Sequence, residues 1–304
     1  MPSSLDDPRT GYSANLERAG GRGHPERKRI LVIGASGGVG AALIDRLLAG
    51  GHEVMATVRA AEQIASVGRA YPAIDHVFVL DMALGDSVGG AIRAGLAGRG
   101  AVDAVVVCTG VAAGSPLETA SLVDFRRTLE INTVSCLAIY QAVLPMLRET
   151  RGRLLLVSSY AGKVATPFIG AYSASKHALE ALGDVMRQEA VHSGVRISLV
   201  LPGGIDTAMC AAQLAAVNED ILALSADQDA LYGHYYRGHR ALLAGPGKMP
   251  ADEVAAVVEE AITAREPRSR YVVGTDAQWF IDQRQSLDDK DFDVLAESIF
   301  HRAQ

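Results

Sequence analysis

Seven short apolar runs, alternating with helix-forming segments, constrain this chain more than any other feature. They are Arg29–Ile33, Glu53–Val58, His76–Leu80, Ala104–Val107, Arg153–Val157, Arg196–Leu201 and Tyr271–Val273. Strands exposed on one face alternate apolar and polar residues. Continuous apolar runs instead describe strands buried on both faces, as when helices cover both sides of a parallel sheet. The pattern predicts one doubly wound α/β domain over residues 29–304, with a seven-stranded parallel sheet and helices on both faces. Such sheets bind ligands at the carboxyl ends of their strands. The Leu-, Ala- and Tyr-rich stretch 206–248 is placed there and is expected to form a helical lid. After Gly274, Trp279, Phe280 and Phe300 are expected to pack a helix onto the domain. Residues 1–28 are polar, lack the apolar run of a secretory signal, and read as a flexible extension.

Composition acts as a filter on function. At 49% hydrophobic and 21% charged, the 304 residues can bury a large core and are too apolar for a disordered chain. Twenty-nine Lys and Arg against 35 Asp and Glu leave a net charge of −6, without the basic stripe of a nucleic-acid binder. The one basic cluster, His24 to Arg29, reads as a solvated tail. No run of ~18 uncharged apolar residues suggests a membrane span. Cys108, Cys136 and Cys210 are odd in number and widely spaced, so neither a disulfide framework nor a zinc site is expected. Reduced thiols in a cytoplasmic protein fit best, and Cys108 reads as a small buried hydrophobe.

Two segments carry chemistry. The first is Gly34-Ala-Ser36-Gly-Gly38-Val39-Gly40, between the first strand and the first helix. Glycine permits positive φ and close approach of a ligand to the backbone. A helix N-terminus adds free N–H groups and partial positive charge, which suit a pyrophosphate. An acid at the end of the second strand would bind the ribose 2′-hydroxyl of NAD, and an arginine there a 2′-phosphate. Here the strand ends Thr57-Val58-Arg59, which selects NADP(H) over NAD(H). The second segment is Tyr172-Ser-Ala-Ser-Lys176, whose ends share a helix face. An ammonium beside a phenol favours the phenolate, so the pair can donate and accept a proton.

In this order and spacing, Gly34-x-x-x-Gly38-x-Gly40, Asn132, Ser159, Tyr172-x-x-x-Lys176 and Pro202-Gly203-Gly204-Ile205-Asp206-Thr207 resemble the motifs of the short-chain dehydrogenase/reductase family. The resemblance runs from about Arg29 to Val273. The family serine precedes the tyrosine by thirteen residues, which selects Ser159 over Ser158. The resemblance implies a Rossmann-type fold and an oxidoreductase acting on CH–OH and C=O groups. It implies Tyr172 as general acid/base and Lys176 as the group that depresses its pKa and holds the nicotinamide ribose. Ser159 would orient the substrate oxygen, and Asn132 would hold a relay water. Dinucleotide contacts would come from Gly34, Ser36, Gly38, Val39, Gly40, Arg59, Asp81, Met82, Gly110, Pro202, Gly203, Ile205 and Thr207, with Tyr172 and Lys176. Asp81 resembles the acid at the adenine amino group, and Thr207 the threonine near the carboxamide. No metal is implied.

Two positions depart from the family pattern. Ile33 stands where threonine is usual, and Val107-Cys108-Thr109-Gly110 stands for Asn-Asn-Ala-Gly, so altered hydrogen bonding is expected after the fourth strand. The stretch Ser158 to Thr207 looks like the retinol- and hydroxysteroid-dehydrogenase-like branch. That implies a lipophilic alcohol or ketone, for which Met209, Leu214, Leu231, Tyr232, Tyr235 and Tyr236 are candidate pocket residues. Two alternatives stay open: a non-redox enzyme of the same fold performing dehydration, epimerisation or cyclisation, and a non-catalytic dinucleotide sensor or scaffold. Family members are usually dimers or tetramers. Leu137, Ile139, Tyr140, Val143, Leu179, Leu182 and Val185 are the expected contacts of a homo-oligomer; neither membrane nor nucleic acid is expected as a partner.

Overall fold

The structure, a computed structural model, describes residues 27–302. The expected extension therefore lies outside the described residues, except for its last two. In chain order the elements are β1 (Arg29–Ile33), α1 (Gly38–Ala49), β2 (Glu53–Val58), α2 (Glu62–Ala70), β3 (His76–Val79) and α3 (Val88–Leu96). Next come β4 (Ala104–Val107), α4 (Leu122–Leu129), α5 (Ser135–Thr150), β5 (Arg153–Val157), α6 (Gly170–Ala190) and β6 (Arg196–Pro202). The chain closes with β7 (Ile205–Asp206), α7 (Ala208–Ala223), α8 (Ala226–Ala244), β8 (Met249–Pro250), α9 (Ala251–Thr263), β9 (Arg270–Val273), α10 (Thr275–Ser286) and α11 (Asp289–Arg302).

Seven strands form a wholly parallel sheet in the order β3-β2-β1-β4-β5-β6-β9. This is the doubly wound Rossmann-type sheet that the seven apolar runs predict. The winding reverses between β1 and β4, so a crevice opens at their carboxyl ends. Successive side chains of a strand point to opposite faces. Leu31 and Ile33 join one core with Ile92, Ile139, Leu147 and Leu179; Ile30 and Val32 join the other with Leu43, Ile44, Leu47 and Val258. Full burial of each such side chain contributes about 1.5–3 kcal/mol. A two-residue pairing of β7 with β8 ties the start of the lid to its end.

Several boundaries differ from expectation. Helix α1 begins at Gly38, not after the glycines, so Gly38 and Gly40 lie in its first turn. The region after Gly274 forms two helices: Phe280 stacks on Tyr160 at 4.9 Å and Phe300 is buried, whereas Trp279 stays 42% exposed. Of the expected oligomer contacts, Ile139, Tyr140, Val143 and Leu179 are consumed by the protein's own core, because α5 and α6 each bury one face on the sheet. The continuous helical run Leu122–Thr150 is long and apolar enough to cross a membrane by length and composition. Some 56% of that apolar window is buried inside the fold, and the run supplies core helix α5.

Candidate active site

Helix α6 positions Tyr172 and Lys176, and its own anchoring comes first. Arg270 of β9 donates to Glu180 at 2.8 Å and to Asp184 at 2.7 Å, while Lys163 meets Glu180 at 3.1 Å. The Arg270 guanidinium, with Arg187 assisting, holds the Asp184 carboxyl down to about 2. With the helix fixed, buried Lys176 donates from Nζ to the carbonyl of Val157 at 2.9 Å. That carbonyl ends β5, two residues before Ser159. Lys176 Nζ also stands 5.7 Å from the centroid of the Tyr172 ring, one turn earlier on the same face. Buried Ser159 caps the short turn Tyr160–Gly162, its Oγ accepting from Ala161 N at 3.2 Å. Ser158 lies against Gly162 with an unpartnered buried hydroxyl. Burial raises the pKa of the Tyr160 phenol, and the neighbouring Tyr172 and Asp276 raise it further.

Asn132 sits in a one-turn π-helix, Glu130–Val134, wedged between α4 and α5. Such bulges aim side chains that a regular helix would turn away. Asn132 Oδ1 accepts from Val111 N, and Nδ2 donates to Val111 O, both at 2.8 Å. Nδ2 also reaches Ser175 Oγ at 3.0 Å, and that hydroxyl donates to Tyr172 O at 2.7 Å. Thr133 Oγ1 donates to Ser175 O at 2.8 Å. The side-chain amide of Asn132 is thus committed to the turn after β4. Ser175 and Thr133, which the motif reading did not single out, join that turn to the tyrosine helix. Thr109 Oγ1 is left unpartnered, and Gly110 lies beside Lys176, with its would-be Cβ 3.6 Å from Nζ. Burial pushes the Cys108 thiol up to about 12 and that of Cys136 up to about 11, so both are protonated at neutral pH.

The glycine turn is shaped by missing side chains. Gly34 has φ +100°, a conformation that strains other residues. Its N–H donates to Thr57 Oγ1 at 3.2 Å. A Cβ on Gly40 would stand 2.1 Å from Gly34 O, and one on Gly38 2.7 Å from the Thr207 methyl. Ser36, Gly37 and Gly38 are exposed, while Val39 is buried. An exposed helix N-terminus built of glycines fits a pyrophosphate. Arg59 is exposed, and its guanidinium has no hydrogen-bond or ion-pair partner among the described residues. Asp81 Oδ1 accepts from Ala83 N at 2.9 Å, capping the turn that begins at buried Met82. Pro202 ends β6 and Ile205 opens β7. Asp276, at the start of α10, accepts from Gly204 N at 2.7 Å and fills the space a Cβ on Gly203 would need. No local pattern in the sequence marks Asp276 for this position.

Above the crevice, α7 and α8 enclose a cavity of about 290 Å³ with residues 110–114 and Phe168. Of the proposed pocket residues only Met209 lines it. Leu214, Tyr232, Tyr235 and Tyr236 instead pack with Phe168, Val217 and Phe300 in a small separate core, and Leu231 is 61% exposed. The lid spends its bulkiest side chains on holding itself together, so small residues, Ala212 and Ala216, are left to face the cavity. Phe168 has φ +74°; a left-handed non-glycine residue costs about 1–3 kcal/mol and persists only where surroundings fix it. Its carbonyl accepts from Ser115 N at 2.8 Å, and its ring meets Tyr236 and His239 at 4.7 Å each.

Residues 28–218 match the short chain dehydrogenase family. A 3-amino-tetrahydro-pyrrolizinone reductase of Xenorhabdus hominickii is 31% identical over 275 residues, 86% of this chain and 92% of its own. Human 17-beta-hydroxysteroid dehydrogenase type 6 is 29% identical over 84% of each chain. The crystal structure of a short chain dehydrogenase from Burkholderia cenocepacia in complex with NADP superposes with a TM-score of 0.70 at 24% identity. That match covers 89% of this chain and 98% of the other.

Proposed function

We propose that this chain, which belongs to the short-chain dehydrogenase/reductase family of oxidoreductases acting on alcohol and ketone groups, interconverts a lipophilic ketone and its secondary alcohol with NADP(H). The carrying observation is the meeting of Tyr172, Lys176 and Gly110 at the end of β5 and β4, under a mostly apolar cavity. A bound nicotinamide dinucleotide supplies or accepts the hydride. The Gly34–Gly40 turn and the α1 N-terminus bind its pyrophosphate. Asp81 and Met82 border the adenine, and Pro202, Gly203, Ile205 and Thr207 the nicotinamide. Arg59, charged and unpaired, receives the 2′-phosphate; the Burkholderia relative, solved with NADP, supports this choice.

In the reductive direction Ser159 hydrogen-bonds the ketone oxygen and Tyr172 O–H gives it a proton; oxidation reverses that transfer. Lys176 holds the ribose. Asn132 fixes the Gly110–Val111 turn beside Lys176. The exposed Leu122, Val123, Val134 and Val185 on α4 to α6 are the surface through which copies of the chain associate. All three cysteines are free thiols, the state a reducing cytoplasm maintains. The test is ketone-dependent loss of NADPH absorbance, beside calorimetric titration with NADPH and NADH. Turnover of lipophilic ketones and tighter binding of NADPH are expected. Turnover of small hydrophilic carbonyls alone sinks the substrate assignment, and equal affinities sink the cofactor preference.

A further inference from the structure

The cavity above the crevice is not uniformly apolar, and its polar groups are grouped. Met209, Ala212, Gln213, Ala216, Val217 and Asp220 line it, spaced three and four apart along one face of α7. The opposite wall is glycine, alanine and valine of residues 110–114. Among all the lining side chains, only Gln213, Asp220 and His239 carry hydrogen-bonding atoms. Gln213 spends its Nε2 on Ala112 O at 3.0 Å, which leaves its carbonyl oxygen. His239 and Asp220 make no side-chain hydrogen bond to any described residue. The His239 ring is tilted 38° against that of Phe168 at 4.7 Å, and its Nε2 lies 3.2 Å from where a Gly114 Cβ would stand. Burial pushes this imidazole down to about 4, so it is neutral near pH 7. Burial raises the Asp220 carboxyl, with Glu219 reinforcing it. A partly desolvated polar group without a partner is unfavourable; His239, half-buried on α8, is such a group, and the exposed carboxylate of Asp220 on α7 lines the same ligand-sized space.

We infer that the substrate carries a second polar group, a hydrogen-bond-donating hydroxyl or amine distant from the reacting carbon, received by His239 and Asp220. The inference rests on the redox reading above and names the substrate class within it: lipophilic ketones or alcohols with a polar far end. Phe168, strained and clamped, orients the imidazole. Small side chains along the rest of the wall leave room for the apolar middle of the substrate.

The experiment compares benzylacetone with its para-hydroxy analogue, which differ only in a distal hydroxyl. NADPH-linked turnover and calorimetric binding are measured on the full chain, on His239→Phe, on His239→Gln and on Asp220→Ala. For the unaltered protein the hydroxylated ketone is expected to have about tenfold higher kcat/KM, equivalent to about 1.4 kcal/mol. In His239→Phe, which keeps a ring against Phe168, the ratio falls to within about twofold of unity, and His239→Gln restores part of it. Asp220→Ala lowers the ratio independently, so the test survives if one variant does not fold. Equal handling of the two ketones by the unaltered protein overturns the inference. So does a preference that persists in both His239→Phe and Asp220→Ala, or failure to bind either ketone. If neither ketone is turned over but the hydroxylated one binds tighter in a His239-dependent manner, the redox reading falls and the polar subsite stands. Binding of amine- and hydroxyl-substituted ketones side by side distinguishes the two donors.

Discussion

Around Tyr172 the protein supplies its own partners, whereas around Gly34 it supplies room. Lys176, Asn132, Ser159 and Ser175 are all buried; Lys176 bonds to β5, Asn132 to Ser175, and Ser159 caps its own turn. At the other end of the crevice Ser36, Gly37, Gly38 and Arg59 are exposed, and the Arg59 guanidinium has no described partner. Proton transfer needs groups fixed to a fraction of an ångström before substrate arrives. Holding a dinucleotide needs unblocked N–H groups and an unpaired cation, which the ligand itself satisfies. One end is preorganised by contacts and the other by their omission.

The largest test of this contrast is Tyr172→Phe. It removes the transferred proton and nothing that holds the fold, so turnover should fall about 10²–10⁴-fold while NADPH still binds in a calorimetric titration. A variant retaining near-normal turnover would dissociate the tyrosine from the chemistry. Next in size is Gly40→Ala. The added methyl meets backbone at 2.1 Å, and overpacking of this kind costs about 1–3 kcal/mol; denaturant unfolding should record the loss, together with loss of NADPH binding. Gly37→Ala, whose nearest neighbour would be at 3.5 Å, should unfold like the parent. Equal behaviour of the two variants would break the idea that missing side chains shape the turn.

Asn132→Ala strips both bonds from the Val111 backbone. Leaving buried groups unpaired costs about 2 kcal/mol, and kcat should fall with it because the Gly110–Val111 turn beside Lys176 is no longer fixed. An unchanged melting midpoint would show that the turn holds itself. The smallest expected effect is that of Arg59→Ala. NADPH affinity should drop about tenfold, equivalent to about 1.4 kcal/mol, with NADH affinity unmoved. If both cofactors weaken equally, Arg59 acts on the shared part of the dinucleotide and the 2′-phosphate assignment is wrong.

The sheet was legible because burial on both faces writes itself into single strands: each of the seven apolar runs became a strand with at most a one-residue change of boundary. The motif residues were legible for a related reason, since i, i+4 spacing and a strand-turn-helix context are local. What failed was local pattern applied to long-range packing. Tyr232, Tyr235 and Tyr236 have the chemistry of pocket walls, yet they join a small core with Phe300, some sixty residues later in the chain. Ile139 and Val143 look like interface residues on a helix but lie under it. Trp279 was expected inward and is exposed, because Phe280, one position on, takes the place against Tyr160.

By itself the sequence determined the parallel α/β sheet, the placing of the glycine turn between its first strand and first helix, and the nearness of Tyr172 to Lys176 on one helix face, because hydrophobic period and short motifs are properties of neighbouring residues. Only the tertiary structure decided that Asn132 clamps Val111, that Asp276 braces Gly204, and that His239 and Asp220 share a cavity with Gly110. Each of those pairs is separated by roughly twenty to more than a hundred positions, and contact between such residues is set by how helices pack on the sheet, which no single stretch of sequence encodes.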